Sequence, residues 1–167
     1  MDTGISTIRR IGTDNVEAFR RIRLEALREE PLAYASSYED WAVLGDDEWR
    51  DRMREPVFVA FLAGEPVGLA GLSRQRPSRM AHRASIVMVY VRKSLRGTGV
   101  ADGLIDAVIA EARGMGIVQL ELAVTAENRA AVRFYERKGF VEIGRVPGAL
   151  IHEGREFDDL MMALRIG

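Results

Sequence analysis

A mixed α/β layer fold is predicted by three observations. Strand-like and helix-like patterns run in the order β, α, α, three strands, then helices joined by a strand, then a terminal strand pair. That is not a regular βαβ alternation. Residues 89–103, VYVRKSLRGTGVADG, pass from a β-branched and aromatic run through a glycine loop into a helical pattern. The 167 residues, 47% of them hydrophobic, suffice to bury a core, and no linker, repeat or low-complexity segment interrupts them. Residues 1–167 therefore read as a single domain.

Each element has its own signal. ISTIRRI (5–11) is a first strand. Asp14-Asn15-Val16-Glu17 has the form of a capping box with Asp14 as N-cap, and Phe19, Ile22, Ala26 and Leu27 follow at helical spacing up to Pro31. A shorter helix is predicted near Asp46–Arg54. VFVAFLAGEPVGLAGLS places two apolar runs about Gly64-Glu65-Pro66 and reads as a β-hairpin. ASIVMVYV (84–91) is a further strand. After Gly99, the residues Val100, Leu104, Ile105, Val108 and Ile109 keep one helical face as far as Arg113-Gly114. IVQLELAV (117–124) is a strand, Asn128 to Lys138 a helix closed by Gly139, and FVEIGRV and EFDDLMMAL two final strands.

Charge and composition remove several functions. Lys and Arg (24) nearly balance Asp and Glu (25), giving −1 overall, so the basic excess of a nucleic-acid binder is missing. No apolar run approaches the roughly 20 residues that span a bilayer. The start, MDTGISTIRR, lacks the apolar core of a secretory signal. With no cysteine there is no disulfide, thiolate metal site or thiol nucleophile. The two histidines, His82 and His152, stand apart without a ligand pattern, and no metal is expected. A cytoplasmic protein without nucleic-acid or membrane partners is the expectation.

The glycine loop suggests a phosphate, and the question is whose. Gly97, Gly99 and Gly103 approach the dinucleotide fingerprint, and Glu121 lies about 20 residues on, where a ribose-binding acid is expected. Yet five residues separate the strand from Gly97, Glu121 falls mid-strand, and three strands precede the motif. A P-loop is excluded because no Gly-Lys-Ser/Thr follows. Physically, a helix starting near Thr98–Val100 presents unpaired N–H groups and its positive dipole end to the loop, where a pyrophosphate fits. Glycines at 97 and 99 tolerate positive φ and let the backbone approach.

Arg96-Gly97-Thr98-Gly99-Val100-Ala101 matches R/Q-x-x-G-x-G/A, the pyrophosphate signature of the GNAT N-acetyltransferase family. Asn128 to Phe140 is similar to that family's N-x-x-A-x-x-F-Y-E-x-x-G-F segment. The tail Glu153–Met162 resembles its closing hairpin, with a glycine turn and a D-x-x-M pattern. The early segment RLEALREEPLAYASSYED resembles a subfamily containing phosphinothricin-type and other small-amine acetyltransferases.

The resemblance implies the GNAT fold: a mixed central sheet of about six to seven strands with flanking helices. The sheet would be splayed at its central parallel pair, between 84–91 and 117–124. It implies acetyl-CoA as co-substrate, with Arg96, Gly97, Thr98, Gly99, Val100 and Ala101 around the pyrophosphate. Val89, Tyr90 and Val91 would form the strand edge that pairs with the pantetheine arm and binds the acetyl carbonyl. Asn128 would bind the pantetheine amide, although Asn also serves as a helix N-cap. A homodimer is common in the family.

Tyr135 is the residue expected to carry chemistry, since a phenol is a competent proton donor to a leaving thiolate. Phe134, four residues after Ala130, is placed on the core face and Tyr135 off it. Many family members use a Glu on the strand before the loop as base, but ASIVMVYV has no carboxylate. Glu121, His82, His152 and the acids of 39–51 are alternatives, none of them assigned. Acids with Tyr34, Tyr38, Trp41 and Trp49 in residues 34–51 would suit a cationic amine, or else form a solvated helix with both indoles packed inward. Three readings are open: an N-acetyltransferase for a small-molecule amine, one for a protein or peptide amine, and a non-catalytic acyl-CoA-binding module.

Overall fold

Residues 4–167 are described by a computed structural model. Among them, seven strands form one sheet: β1 (Thr7–Arg10), β2 (Val57–Leu62), β3 (Glu65–Arg74), β4 (Arg83–Val91), β5 (Gln119–Thr125), β6 (Val141–His152) and β7 (Arg155–Arg165). Their order is β1-β2-β3-β4-β5-β7-β6, with β4 and β5 the parallel pair and every other neighbour antiparallel. The helices are α1 (Val16–Glu29), α2 (Tyr38–Ala42), α3 (Asp46–Asp51), α4 (Val100–Gly114) and α5 (Arg129–Arg137).

Alternation along the strands divides the core into two layers. On one face, Val57, Val59, Phe61 and Leu69 meet Phe19, Ile22, Ala26 and Leu27 of α1, the spacing expected, together with Trp41 and Trp49. On the other face, Phe58, Ala60, Leu72, Leu120 and Leu122 meet Leu104, Ile105 and Val108 of α4, with Tyr135 from α5. Each fully buried large aliphatic or aromatic side chain contributes roughly 1.5–3 kcal/mol. Both indoles are buried, at 6% and 1% exposure, so the aromatic acceptor patch of 34–51 is for the most part core.

Three local expectations are corrected. Thr13–Asn15 form a 3-10 turn and α1 begins at Val16, so Asp14 lies inside the turn and caps nothing; Glu17 pairs with Arg20. The capping box the chain does form is Ser37 with Asp40, which starts the unanticipated helix α2. The helix expected near Asp46–Arg54 ends at Asp51, and β6 runs well beyond the segment expected, to His152, while β7 matches its segment to within a residue at each end. Gly103 is a helix residue at which α4 packs closely on β1: a β-carbon there would lie 2.4 Å from Ile8 Cδ1.

What positions the site is the separation of β4 from β5. Their Cα register runs only from Arg83–Gln119 to Ser85–Glu121, whereas β5 stays paired with β7 along its full length. From Ile86 onward, the edge of β4 that faces β5 has no strand partner. A bulge accompanies the departure: Tyr90 faces Leu69 and Val87 faces Gly71, so Met88 and Val89 share one position opposite. Met88 sits at φ +59°, a left-handed conformation that costs a residue with a β-carbon about 1–2 kcal/mol. Gly71 leaves room for it, since a β-carbon there would stand 2.6 Å from Met88 Cε. Bulges increase local twist and bend the strand, and here the bend turns β4 away from β5.

Candidate active site

The wedge between the strands opens into a cleft of about 410 Å³. Its walls are Ser85–Val89 of β4 and Leu122–Thr125 of β5, with Asn128, Ala131 and Tyr135 arriving from α5 and Asp159 from β7. Arg23 of α1 and Tyr34, in the segment between α1 and α2, close it from the side. At the narrow end, Glu121 is buried and accepts two hydrogen bonds from the Arg83 guanidinium, at 2.5 and 2.6 Å, and one from Gln119 at 2.9 Å. That pairing holds its carboxyl below the usual glutamate range. A carboxylate so occupied is a poor proton acceptor, which removes Glu121 from the candidates for the base.

Asp159 is in the opposite condition. Its side chain makes no hydrogen bond or ion pair among the described residues, and burial raises its carboxyl above the ordinary aspartate value. Its neighbour Asp158 points to the other face, where it accepts from Gly148 N–H and Arg145 at 3.0 Å each. The sequence reading passed over Asp159. The signal was the D-x-x-M pattern, and pairing of Asp159 with Thr125 across β5 and β7 decides which of the two carboxylates faces the cleft.

Tyr135 lies in the cleft wall, but on a different helix face from the one expected. It is buried at 7% exposure while Phe134 is only partly buried, because α5 docks through Ala131, Val132 and Tyr135. Its ring stands edge-on to Phe134 and Phe140, with centroids 5.2 and 5.7 Å away. Burial pushes the phenol well above its usual value, so it stays protonated at neutral pH. Asn128 is the N-cap of α5, its side-chain oxygen accepting from Ala131 N–H at 3.2 Å. The amide nitrogen of the same side chain makes no hydrogen bond among the described residues.

Along β4, Val89 is half-buried and Tyr90 and Val91 are buried on opposite faces of the sheet. Tyr90 faces α1, where burial and nearby Glu25 push its phenol up to about 12. The carbonyl of Val89 accepts from the Tyr34 hydroxyl at 2.8 Å, which pins the bulge. Beyond Val91, Lys93–Leu95 make a 3-10 turn, and Gly97 and Gly99 adopt φ +78° and +93° before α4 begins. Gly103 is the first residue there whose N–H returns to the helix, on Gly99 at 3.0 Å, leaving those of Val100, Ala101 and Asp102 free of intrahelical partners. The Thr98 hydroxyl donates to Leu95 and stiffens the turn.

Two arginines near this loop are occupied, whereas Lys93 is exposed and makes no ion pair among the described residues. Arg96 binds Glu30 at 2.6 Å and the Val91 carbonyl at 3.1 Å, tying the loop to the end of α1. Arg92 is held by Glu25 and Glu65. The loop thus offers an anion backbone N–H groups and a helix dipole, with the Lys93 ammonium beside them. No cluster of three or more His, Asp or Glu side chains able to hold a metal occurs among the described residues.

Comparison with known proteins agrees with this geometry. The acetyltransferase (GNAT) family profile matches residues 19–140. An N-acetyltransferase of Methanocaldococcus jannaschii is 31% identical over 146 residues, 86% of this chain and 64% of that protein, so the chain spans less than two thirds of that relative. An L-methionine sulfoximine/L-methionine sulfone acetyltransferase of Pseudomonas aeruginosa is 32% identical over 70% of this chain and 69% of its own length. Among solved structures, an acetyltransferase from Salmonella typhimurium with its cofactor acetyl-CoA superposes with a TM-score of 0.83. It is 22% identical and covers 98% of this chain and 95% of that one. The splayed β4–β5 pair, the glycine turn into α4 and the match over 19–140 place the chain in the acetyltransferase (GNAT) family.

Proposed function

We propose that the protein transfers an acetyl group from acetyl-CoA to the primary amine of a small molecule, by direct attack within a ternary complex. The observation that carries this reading is the wedge itself. An unpaired edge of β4 leads into a cleft holding one unpaired carboxylate and one protonated phenol, Asp159 and Tyr135. Acetyl-CoA places its pyrophosphate on the free N–H groups at the start of α4 and its pantetheine arm along Val89–Val91, within reach of Asn128. The acetyl oxygen then lies against backbone N–H of β4, a fixed dipole that stabilises charge as it develops.

The acceptor enters as an ammonium and gives one proton to Asp159, whose raised value makes it a better base than an ordinary aspartate. Nitrogen attacks the acetyl carbon, and a C–N bond forms. As the tetrahedral intermediate collapses the C–S bond breaks, and the Tyr135 hydroxyl protonates the departing thiolate. The second nitrogen proton restores the phenol, and the products are the N-acetyl amine and free coenzyme A.

Support for a homodimer comes from exposed Val141, Ile143 and Ile151 on edge strand β6, a kind of surface that pairs with another chain. A cytoplasmic location belongs to the same reading; no helix of the described residues is long and apolar enough to cross a membrane. The test is thiol release from acetyl-CoA across a panel of small amines and amino-terminal peptides. Turnover with small amines is expected. Turnover with peptides alone would move the acceptor to protein amines, and coenzyme A binding without any turnover would leave an acyl-CoA-binding module.

A further inference from the structure

Among the described residues, Arg23 is the one with buried side-chain N–H donors that lack a partner. It stands on the apolar face of α1, four residues after Phe19 and four before Leu27, and is 4% exposed. Its guanidinium is sandwiched between Tyr34 and Trp41, 4.7 and 4.5 Å from the two ring centroids. Yet Nε and Nη1 are buried without any hydrogen-bond partner. Stacking on rings offsets part of the desolvation of a cation. It does nothing for N–H donors, whose lost bonds to water go unreplaced when they are buried and unpaired.

None of the acids that line the outer cavity is free to answer it. Four acids line the wider, outer cavity of about 1150 Å³ that Arg23 also borders: Asp47, Glu48, Asp51 and Glu55. Asp47 pairs with Arg50 and Asp51 with Arg54. Glu48 accepts from Gly45 N–H, and Glu55 from Ser73 and Arg74 N–H. Arg52, stacked on Trp41 at 4.2 Å, and Arg76 line that cavity with no acid partner among the described residues. The outer cavity therefore has a surplus of cationic donors, the reverse of the acidic pocket that the composition of 34–51 suggested.

The position of Arg23 is what gives this surplus a use. Arg23, Val87 and Met88 line both the outer cavity and the cleft that holds Tyr135 and Asp159. The Tyr34 ring beneath the guanidinium carries the hydroxyl that pins the Val89 carbonyl. Burial lowers the Arg23 value to about 10, so the group is still a cation at neutral pH. A small molecule whose amine reaches Asp159 extends past Met88 towards Arg23.

We infer that the acceptor is an amine that also carries a carboxylate or comparable oxyanion, and that Arg23, whose Nε–H and Nη1–H donors lack a partner, receives that anion on its guanidinium. A planar guanidinium holds its N–H donors in fixed directions and so orients an oxyanion as well as attracting it, which a point charge would not. Arg52 and Arg76 supply further positive potential along the entry path. The inference rests on the acetyl-transfer reading above and names its substrate class.

The experiment compares L-amino acids with the matching amino-acid amides and decarboxylated amines, for wild type, Arg23→Lys and Arg23→Gln. Wild type is expected to favour the carboxylates by at least about tenfold in kcat/KM. Arg23→Gln should erase that preference through KM of the acceptor, with KM for acetyl-CoA unchanged, and Arg23→Lys should keep part of it. Equal use of acids and amides by wild type would overturn the inference, and so would an equal loss on both in the variants. Should Arg23→Gln fail to fold, calorimetric binding of N-acetyl amino acids against N-acetyl amino amides to wild type decides the point, tighter binding of the acids being the expected result. That binding arm also keeps the two proposals apart, since absence of any turnover overturns acetyl transfer while acid-selective binding sustains the role of Arg23.

Discussion

The two halves of the cleft are made of different material. The half proposed for coenzyme A is backbone: a turn with two left-handed glycines, three N–H groups at the start of α4 and the bare edge of β4, nearly all within residues 89–102. The acceptor half is side chains, with Arg23, Tyr34, Tyr135 and Asp159 arriving from four parts of the chain. A backbone site tolerates change of side chains but not of chain geometry. A side-chain site has the opposite sensitivity, and substitutions separate the two.

The largest effect is expected at Gly99. Its φ of +93° disfavours any L side chain, and Gly99→Glu adds a negative charge where a pyrophosphate would sit. Coenzyme A binding by calorimetry should vanish, while Thr98→Ala, which changes a side chain alone, should keep most of it. Next comes Asp159→Asn in the acceptor half, with kcat expected to fall about 10²–10⁴-fold and the fold intact by circular dichroism. The wild-type rate should fall as pH drops through the raised Asp159 value, because the protonated carboxyl accepts nothing, and the variant should lose that limb. Tyr135→Phe should lower kcat by a smaller, pH-independent factor, since the phenol stays protonated throughout the working range.

The smallest effect is expected at the hinge between the halves. Glu121→Gln breaks the pairing with Arg83 at the closed end of the wedge, at about 1–2 kcal/mol in urea unfolding, Arg83 being partly exposed and able to recover water. Catalysis should change less than twofold. The Glu121 value is depressed in the folded chain, so its contribution is present above the unfolded glutamate value of about 4.3 and is lost as pH falls through the folded one. A large loss of kcat in this variant would mean that the narrow end of the wedge takes part in chemistry after all.

The sequence was legible where structure follows from neighbouring residues. The amphipathic spacing of α1 and α4, the hairpin of β2 and β3, and the glycine turn all lie where local pattern placed them. Tyr135 was placed in the right helix but on the wrong face, because docking against the sheet selected Ala131 and Tyr135 over Ala130 and Phe134. Arg23 was not singled out, although it is a charge at core spacing between Phe19 and Leu27, and its lack of a partner depends on where every nearby acid goes. The tryptophans offered a binding surface by composition and became core by packing.

By itself, then, the sequence determined the order of the strands and of every helix but α2, the turn between β4 and α4 and the family they belong to. Those features depend on φ preferences and on apolar periods that each segment carries locally. Only the tertiary structure decided that β4 leaves β5 after Ser85, that Asp159 rather than Asp158 faces the opening, and that Arg23 is buried without a counter-ion. Strand register and the pairing of charges are settled between segments far apart in the chain, so no single stretch of residues contains them.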